Sequence, residues 1–388
     1  MTSRPLSNRT RELSPFHVMD ILAQAKALSE QGRSIIHMEV GEPDFSTADS
    51  IVSAGIEALK QGQTFYTPAL GLPELREAIS AYYQRKFSVQ VDSERIIVTP
   101  GASGAIQLAI TSLLDAGDNV LLSDPGYPCN RNIAQVLASD TVSVPVGAES
   151  YYQLNAQLAE QYWNERTRAA MVATPSNPTG TVLPLTQLRE LDKCISEKGG
   201  VLIVDEIYQG LVYDSSDYTA LSVSDDCFVI NSFSKYFGMT GWRVGWMVVP
   251  ELYVDAIDRI AQNIFLAPPT ISQHAAITAL QEDTQVEHDR RRDEFKKRRD
   301  FLLPALKQIG FDIAVEPRGA FYIYANCERF TDDSFSWGKQ MLDEQGVAIT
   351  PGIDFGDHHA NLHCRFAYTQ SLPVLEQAVD KIAAFVHR

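Results

Sequence analysis

The sequence lacks several features that would place it in a specialised class. Its five cysteines in 388 residues are odd in number and scattered, without a paired metal-ligand spacing. No apolar run approaches the length needed to span a bilayer, and the first residues lead into polar sequence without the apolar core of a signal peptide. These absences predict reduced thiols and a cytoplasmic protein without membrane contact.

Positive charge is also scarce. The net charge of −16 argues against nucleic acid as a partner, because binding to the phosphate backbone depends on clustered Lys and Arg. The one basic run, at 290–299, is interleaved with Asp293, Glu294 and Asp300, and its charges recur at helical spacing. It is therefore predicted to be a solvated helix face. None of the eight histidines shows metal-ligand spacing, and no metal site is predicted.

What is present is the composition of a large globular chain, with 45% hydrophobic and 21% charged residues. The length exceeds what a single core usually organises, so two domains are expected. Between about 50 and 280, helical and strand patterns alternate, which implies an α/β fold with a mainly parallel sheet covered by helices. The candidate strands are 96–99, 120–123, 141–146, 169–173, 201–204, 228–231 and 244–249.

The two ends of the chain follow a different pattern. A helix is predicted at about 16–31 and a strand at 35–40, and a long amphipathic helix at 284–308 leads into a smaller α+β domain. Its candidate strands are 311–315, 321–325, 347–350 and 362–367, and a last helix starts at Pro373.

The most informative segment is 230–243, INSFSKYFGMTGWR. Cationic or desolvating neighbours such as Arg243 lower the pKa of a lysine amine, so that Lys235 can form a Schiff base with an aldehyde. Arg243, with the hydroxyls of Ser232 and Ser234, also suits a phosphate dianion. An amine beside a phosphate site suggests pyridoxal 5'-phosphate. A solvated lysine–arginine pair is the alternative.

A second motif, VLIVDEIY at 201–208, favours the cofactor. Four apolar residues after Gly199 and Gly200 predict a buried parallel strand that delivers Asp205 to the crevice where α/β proteins bind ligands. A carboxylate against the pyridine nitrogen keeps the ring protonated, so that the ring can accept electrons. Tyr208, expected on the first turn of a following helix, could hydrogen-bond the ring oxygen. The alternative for Asp205 is a helix cap.

A third motif, ATPSNPTG at 173–180, presents Asn177 rigidly between two prolines. Here the chain resembles the class I/II aminotransferases among the fold-type-I pyridoxal-phosphate enzymes. The family's asparagine, aspartate, tyrosine, lysine and arginine markers occur in order, and the resemblance extends from GEPDF at 41–45 to RFAY at 365–368. The matching residues are Asn177, Asp205, Tyr208, Lys235 and Arg243.

The resemblance implies further cofactor contacts. In the segment 98–106, small residues at the start of an apolar helix let a phosphate approach backbone N–H groups. Ala102 and Ser103 match the family residues that bind the cofactor phosphate. Tyr127 matches the aromatic residue that stacks on the pyridine ring.

The resemblance also implies substrate and partner contacts. Arg365, which the sequence alone leaves open between surface pairing and carboxylate binding, matches the arginine that clamps the substrate α-carboxylate. Asn177 and the Gly41 backbone assist it, and Phe16 matches residues near the substrate side chain. Tyr66 matches a tyrosine donated across a dimer interface to the partner's phosphate, which implies a homodimer.

The implied organisation is an N-terminal arm at 1–13, a large cofactor-binding domain at 50–283, and a small domain formed by 14–49 and 284–388. The implied activity moves an amino group between an L-amino acid and a 2-oxo acid, with Lys235 transferring the substrate Cα proton and Asp205 stabilising charge in the ring. A C–S β-lyase would share every cofactor residue. A regulatory domain that binds ligand without catalysis is the other alternative, and it lacks room here for a helix-turn-helix.

Overall fold

The computed structural model describes residues 7–13 and 16–387. Residues 1–6 of the predicted arm, and residues 14, 15 and 388 of the predicted small domain, lie outside the described residues. The helices are α1 Asn8–Glu12, α2 His17–Glu30, α3 Asp49–Lys60, α4 Pro73–Phe87, α5 Gly101–Leu113, α6 Pro128–Val136, α7 Ala156–Tyr162, α8 Leu185–Glu197, α9 Glu251–Ile264, α10 Thr270–Ala279, α11 Glu282–Ile309, α12 Ser334–Gln345 and α13 Leu372–Val386. The strands are β1 Ile36–His37, β2 Ile96–Thr99, β3 Asn119–Asp124, β4 Asp140–Pro145, β5 Thr167–Ala173, β6 Val201–Asp205, β7 Phe228–Ser232, β8 Gly245–Val248, β9 Tyr322–Asn326, β10 Val347–Ala348, β11 Thr350–Pro351 and β12 His363–Ala367.

A seven-stranded sheet forms the centre of the molecule, in the order β2-β8-β7-β6-β5-β3-β4. Its strands run in one direction except β8, which is antiparallel to both of its neighbours. All seven strands predicted between 96 and 249 lie in this sheet, so the prediction of a mainly parallel sheet is confirmed.

Both faces of this sheet are buried, which explains the unbroken apolar runs in its strands. In β6, Leu202 and Val204 pack into one hydrophobic core, whereas Ile203 faces the other, which it shares with α5 and α9. Helices cover both faces, so the polar residues that follow the strands emerge together at the carboxyl edge of the sheet.

A second group of strands is built from the two ends of the chain. The sheet β11-β12-β9 is antiparallel, and β1 pairs in parallel with β10, with Ile36 opposite Val347. The predicted strand at 311–315 is wrong: this segment makes only an isolated bridge from Asp312 to Asn326. Its alternating pattern arises because Phe311 and Ile313 are buried while Asp312 is exposed, without a paired ladder.

The basic run lies on α11, and the prediction of a wholly solvated face is wrong for two of its arginines. Arg298 is buried, donates to both carboxylate oxygens of Asp44, and also donates to the Thr369 carbonyl. Arg299 is likewise buried and pairs with Asp214. Within the described ranges, neither α11 nor any other helix combines the length and apolarity needed to cross a bilayer.

Candidate active site

A cavity of about 250 Å³, called the central cavity below, lies at the carboxyl edge of the large sheet. Most of the residues predicted for the site line it, although they come from segments far apart in the sequence. These are Gly41, Ala102, Ser103, Tyr127, Asn177, Asp205, Tyr208, Ser234, Lys235, Arg243 and Arg365. Ser232 lies directly behind this lining, and Tyr66 lies elsewhere.

Lys235 follows the end of β7, and its amine is held in the central cavity by a hydrogen bond of 2.5 Å from Nζ to the Gly41 carbonyl. Burial lowers the pKa of Lys235 to about 8, and the cations of Arg365 and Arg243 add to the lowering against the opposing charge of Glu42. A large fraction of the amine is therefore neutral near pH 8, as a nucleophile or general base requires.

Asp205 ends β6, which pairs in parallel with β5 and β7, as predicted. Burial raises its pKa to about 6, although the backbone N–H of Ile207 and the charge of Lys235 both favour the carboxylate. A cationic ligand beside Asp205 stabilises its carboxylate form, because an opposite charge at short range offsets the cost of desolvation. The electrostatic environment of Asp205 thus suits a protonated ring nitrogen.

One end of the central cavity has the donors that an oxyanion needs. Ala102 and Ser103 stand in the first turn of α5, where unpaired N–H groups and the helix dipole favour an anion. Ser232 donates to Ser234, and Arg243 Nη1 reaches Ser234 Oγ at 3.5 Å. Together these residues fit a phosphate.

Gly101 permits the approach of Arg243 to this helix terminus. A Cβ added at Gly101, whose φ is +71°, would lie 2.6 Å from Arg243 Nη2. A side chain there would push the guanidinium away from the phosphate-binding end. The glycine therefore serves the site as well as the turn.

Arg365, on β12, lies at the other end and is only 4% exposed. Its Nη2 donates to the Glu39 carbonyl and to Thr350 Oγ1, and its guanidinium lies over the rings of Tyr322 and Phe355. Among the described residues, no carboxylate pairs with it, and its Nε has no hydrogen-bond partner. A buried cation without a counterion is set to receive an anionic ligand.

Tyr208 lines the central cavity, but its predicted place on a helix is wrong. The chain after β6 forms a turn at 207–210, held by the Ile207 N–H on Asp205 and by a bond from Leu211 N to the Tyr208 carbonyl. The Tyr208 hydroxyl hydrogen-bonds the hydroxyl of Tyr322 at 2.7 Å.

Tyr322 was missed from the sequence, where it is one aromatic residue in an apolar strand. A Cβ on Gly41 would overlap its hydroxyl, so glycine is required at 41 to seat this tyrosine. The tyrosine itself lies against Tyr208 and Arg365. A polar hydroxyl in an otherwise apolar strand was the one sequence signal that Tyr322 belongs to the site.

Helix α2 contributes to the lining of the cavity. The Asp354 carboxylate accepts the backbone N–H groups of His17 and Val18, each at 2.8 Å, and so caps the helix from outside its own segment. Phe16 consequently lies edge-on to Tyr127, with ring centroids 6.5 Å apart. The capping aspartate lies over 330 residues away in the chain, which no local signal reveals.

Tyr66 does not line the central cavity. Its side chain is 83% exposed, beside the equally exposed Phe65. The loop is held by Thr270, whose hydroxyl donates to the Phe65 carbonyl at 2.7 Å. The structure of this chain thus places Tyr66 at the surface, outside the cavity lining.

Comparisons with known proteins identify the family of the chain. The sequence profile of the family "Aminotransferase class I and II" matches residues 33–382. A relative from Mycobacterium tuberculosis named valine–pyruvate aminotransferase is 36% identical over 374 residues, covering 96% of both chains. A relative from Methanocaldococcus jannaschii named (5-formylfuran-3-yl)methyl phosphate transaminase is 36% identical over 99% of this chain and 100% of that protein.

A solved structure gives the same result. The crystal structure of an aminotransferase from Mycobacterium tuberculosis superposes with a TM-score of 0.96 at 36% identity, covering 99% of this chain and 100% of that one. The chain belongs to the aminotransferase class I and II family. It is an aminotransferase, and the fold and activity predicted from the sequence are confirmed.

Proposed function

We propose that the central cavity binds pyridoxal 5'-phosphate and uses it to move an amino group between an L-amino acid and a 2-oxo acid. The observation that carries the proposal is the set of charged groups gathered in one cavity. The Lys235 amine shares this lining with the phosphate-binding end at Ala102, Ser103 and Arg243, with the Arg365 cation and with the buried acid Asp205. The phosphate-binding end and Lys235 match a phosphorylated aromatic aldehyde, and Arg365 matches the α-carboxylate of the substrate.

In this proposal each residue has a defined task, and Asn177 has two. Ala102, Ser103, Ser232, Ser234 and Arg243 hold the phosphate, Tyr127 covers the ring, Asn177 and Tyr208 hydrogen-bond its oxygen, and Asp205 pairs with its nitrogen. When bound, the cofactor supplies an electron sink for the substrate carbanion. Arg365 binds the substrate carboxylate with help from Asn177 and the Gly41 backbone, and so presents Cα–H to Lys235.

Lys235 Nζ then takes the proton from the substrate Cα. A pKa near 8 suits this step, because an efficient general base has a pKa close to the working pH. Burial is the largest cause of the lowered pKa of Lys235, so the packing that encloses the cavity also sets the basicity of this amine.

The proposal includes a homodimer in which Tyr66 reaches the partner's phosphate-binding end. Four exposed apolar side chains within one short stretch of the chain support it, since exposed apolar surface is typical of interaction sites. They are Ile56, Leu59, Phe65 and Tyr66. The exposed position of Ser103 at the rim of the cavity leaves that end accessible from outside.

The proposal also covers the division of the chain into domains and its location in the cell. A small domain of 14–49 and 284–388 beside a large domain of 50–283 is supported by the pairing of β1 with β10. A cytoplasmic location is supported by five cysteines that are all unpaired.

Borohydride reduction of the purified protein, followed by peptide mapping, tests the cofactor assignment. The pyridoxyl group should be found on Lys235. Lys235→Ala, which keeps the phosphate and ring contacts, should bind the cofactor without becoming labelled. A label on any other lysine would remove Lys235 from its assigned role.

A further inference from the structure

Part of the lining of the central cavity is apolar. Four residues from the start of α2, together with Ile106 of α5, line it with hydrocarbon, and we call this set the apolar wall. Its members are Phe16, Val18, Met19, Leu22 and Ile106. The wall belongs to the same cavity as Lys235 and Arg365, so a ligand held by both can contact it.

The apolar wall is held in place by specific contacts. Asp354 caps α2 through the N–H groups of His17 and Val18. The first turn is therefore fixed with Phe16 against Tyr127. His17 packs against Phe335 with ring centroids 5.1 Å apart, and Asp20, the acid of this turn, is exposed. The wall thus keeps its apolar character at the cavity.

The cations of the cavity are already assigned. Among the described residues that line it, only Lys235, Arg243 and Arg365 carry positive charge. The proposed function assigns Lys235 to the substrate Cα, Arg243 to the phosphate and Arg365 to the α-carboxylate. The carboxylic acids in this lining are Glu39 and Asp205. A second carboxylate on a substrate would therefore meet no free cation among the described residues that this chain contributes to the cavity.

We propose that the apolar wall receives the substrate side chain and selects amino acids whose side chains are uncharged and apolar. The inference rests on the proposed function, because it takes Lys235 and Arg365 as the fixed points of the substrate. Both half-reactions use the same cavity. The 2-oxo acid acceptor must therefore also lack a second carboxylate, which favours pyruvate over 2-oxoglutarate.

Two unreactive acids of similar length test this in the holoenzyme. Isocaproate has one carboxylate and a branched apolar end, whereas glutarate has a carboxylate at each end. Isothermal calorimetry should show isocaproate binding at least about tenfold more tightly, because it buries apolar surface while glutarate buries an unpaired charge. Equal binding, or tighter binding of glutarate, would overturn the inference.

A substitution in the apolar wall provides a second measurement. Met19 is half exposed at the mouth of the cavity, so replacement there should leave the fold intact. Met19→Lys should shift the ratio of the two dissociation constants toward glutarate by about tenfold, since it supplies the missing cation. The matched variant Met19→Gln, of similar length and without charge, should shift it much less. Equal shifts in both variants would show that α2 does not face the substrate side chain.

Arg365→Gln separates failure of this inference from failure of the proposed function. If the proposed function holds, Arg365→Gln weakens both acids equally, because both use the same carboxylate site. If it leaves both affinities unchanged, the carboxylate site is misplaced and the inference falls with it. If it weakens both acids while glutarate remains the tighter ligand in the parent protein, the carboxylate site stands and the apolar wall alone is wrong.

Discussion

Arg365 donates a hydrogen bond from Nη1 to Asn177 Oδ1 at 2.8 Å, although the two residues are 188 positions apart. This bond joins β12 to the loop that follows β5. It also fixes the orientation of the Asn177 amide: with Oδ1 accepting from the arginine, Nδ2 is left as a donor toward the cavity. The arginine and asparagine therefore act as one unit.

The two arginines of the cavity should have separable roles. Arg365→Gln should raise the KM for amino acids by at least about thirtyfold and leave the cofactor bound, since losing the partner of a buried charge costs roughly 2–5 kcal/mol. Arg243→Gln should instead speed cofactor loss on dialysis. Steady-state kinetics and cofactor absorbance measure the two effects. The same defect in both variants would contradict this division.

The pH dependence of cofactor binding should report Asp205. Its pKa of about 6 in the free protein means that it is largely protonated below pH 6, and a cationic ring nitrogen favours the carboxylate. Binding must then release this proton, so affinity should rise as pH increases from 5 to 7 and level off above.

Fluorescence titration in a Lys235→Ala background, where no covalent bond forms, isolates this effect. Adding Asp205→Asn should lower the affinity at pH 7 and remove the part of the pH dependence due to this residue. An unchanged pH profile would exclude Asp205 as the partner of the ring.

Tyr66 should act in the partner's site, because its side chain is exposed and remote from its own cavity. Tyr66→Phe and Lys235→Ala subunits, each impaired alone, should recover activity in mixed dimers, where one site has both residues intact. Differently tagged subunits allow the mixed dimers to be purified and assayed. No recovery in verified mixed dimers would place Tyr66 outside the partner's site.

The reaction should stop after one half-reaction when an amino acid is supplied without an acceptor. Arg365 and Lys235 position the α-carboxylate and Cα–H for transamination, so each site should release one equivalent of oxo acid and change its cofactor absorbance once. Pyruvate should restart turnover. Continuous release of ammonia would instead indicate a β-lyase.

The sequence predicts well those features that follow from position along a single element. Asp205 at the end of an apolar strand and Ser103 at the start of a helix reach the cavity because parallel strands deliver their carboxyl ends to one edge. Contacts between distant segments are different. Tyr322 fills the space left by Gly41, and Asp354 caps α2, and neither relationship leaves a local pattern. The helix expected at Tyr208 is replaced by a turn. The Ile207 N–H donates to the Asp205 carboxylate, and the Leu211 N–H donates to the Tyr208 carbonyl.

The parallel pairing of Ile36 with Val347 also sets an order of events during synthesis. β1 leaves the ribosome early, but its partner strand β10 is translated only near the end of the chain. The segment that leads from α2 to Gly41 has no sheet to join until then. The large sheet can form first, whereas the substrate side of the cavity must wait for the last quarter of the protein. Capture of a ligand that needs both sides therefore requires that β10 has already been translated.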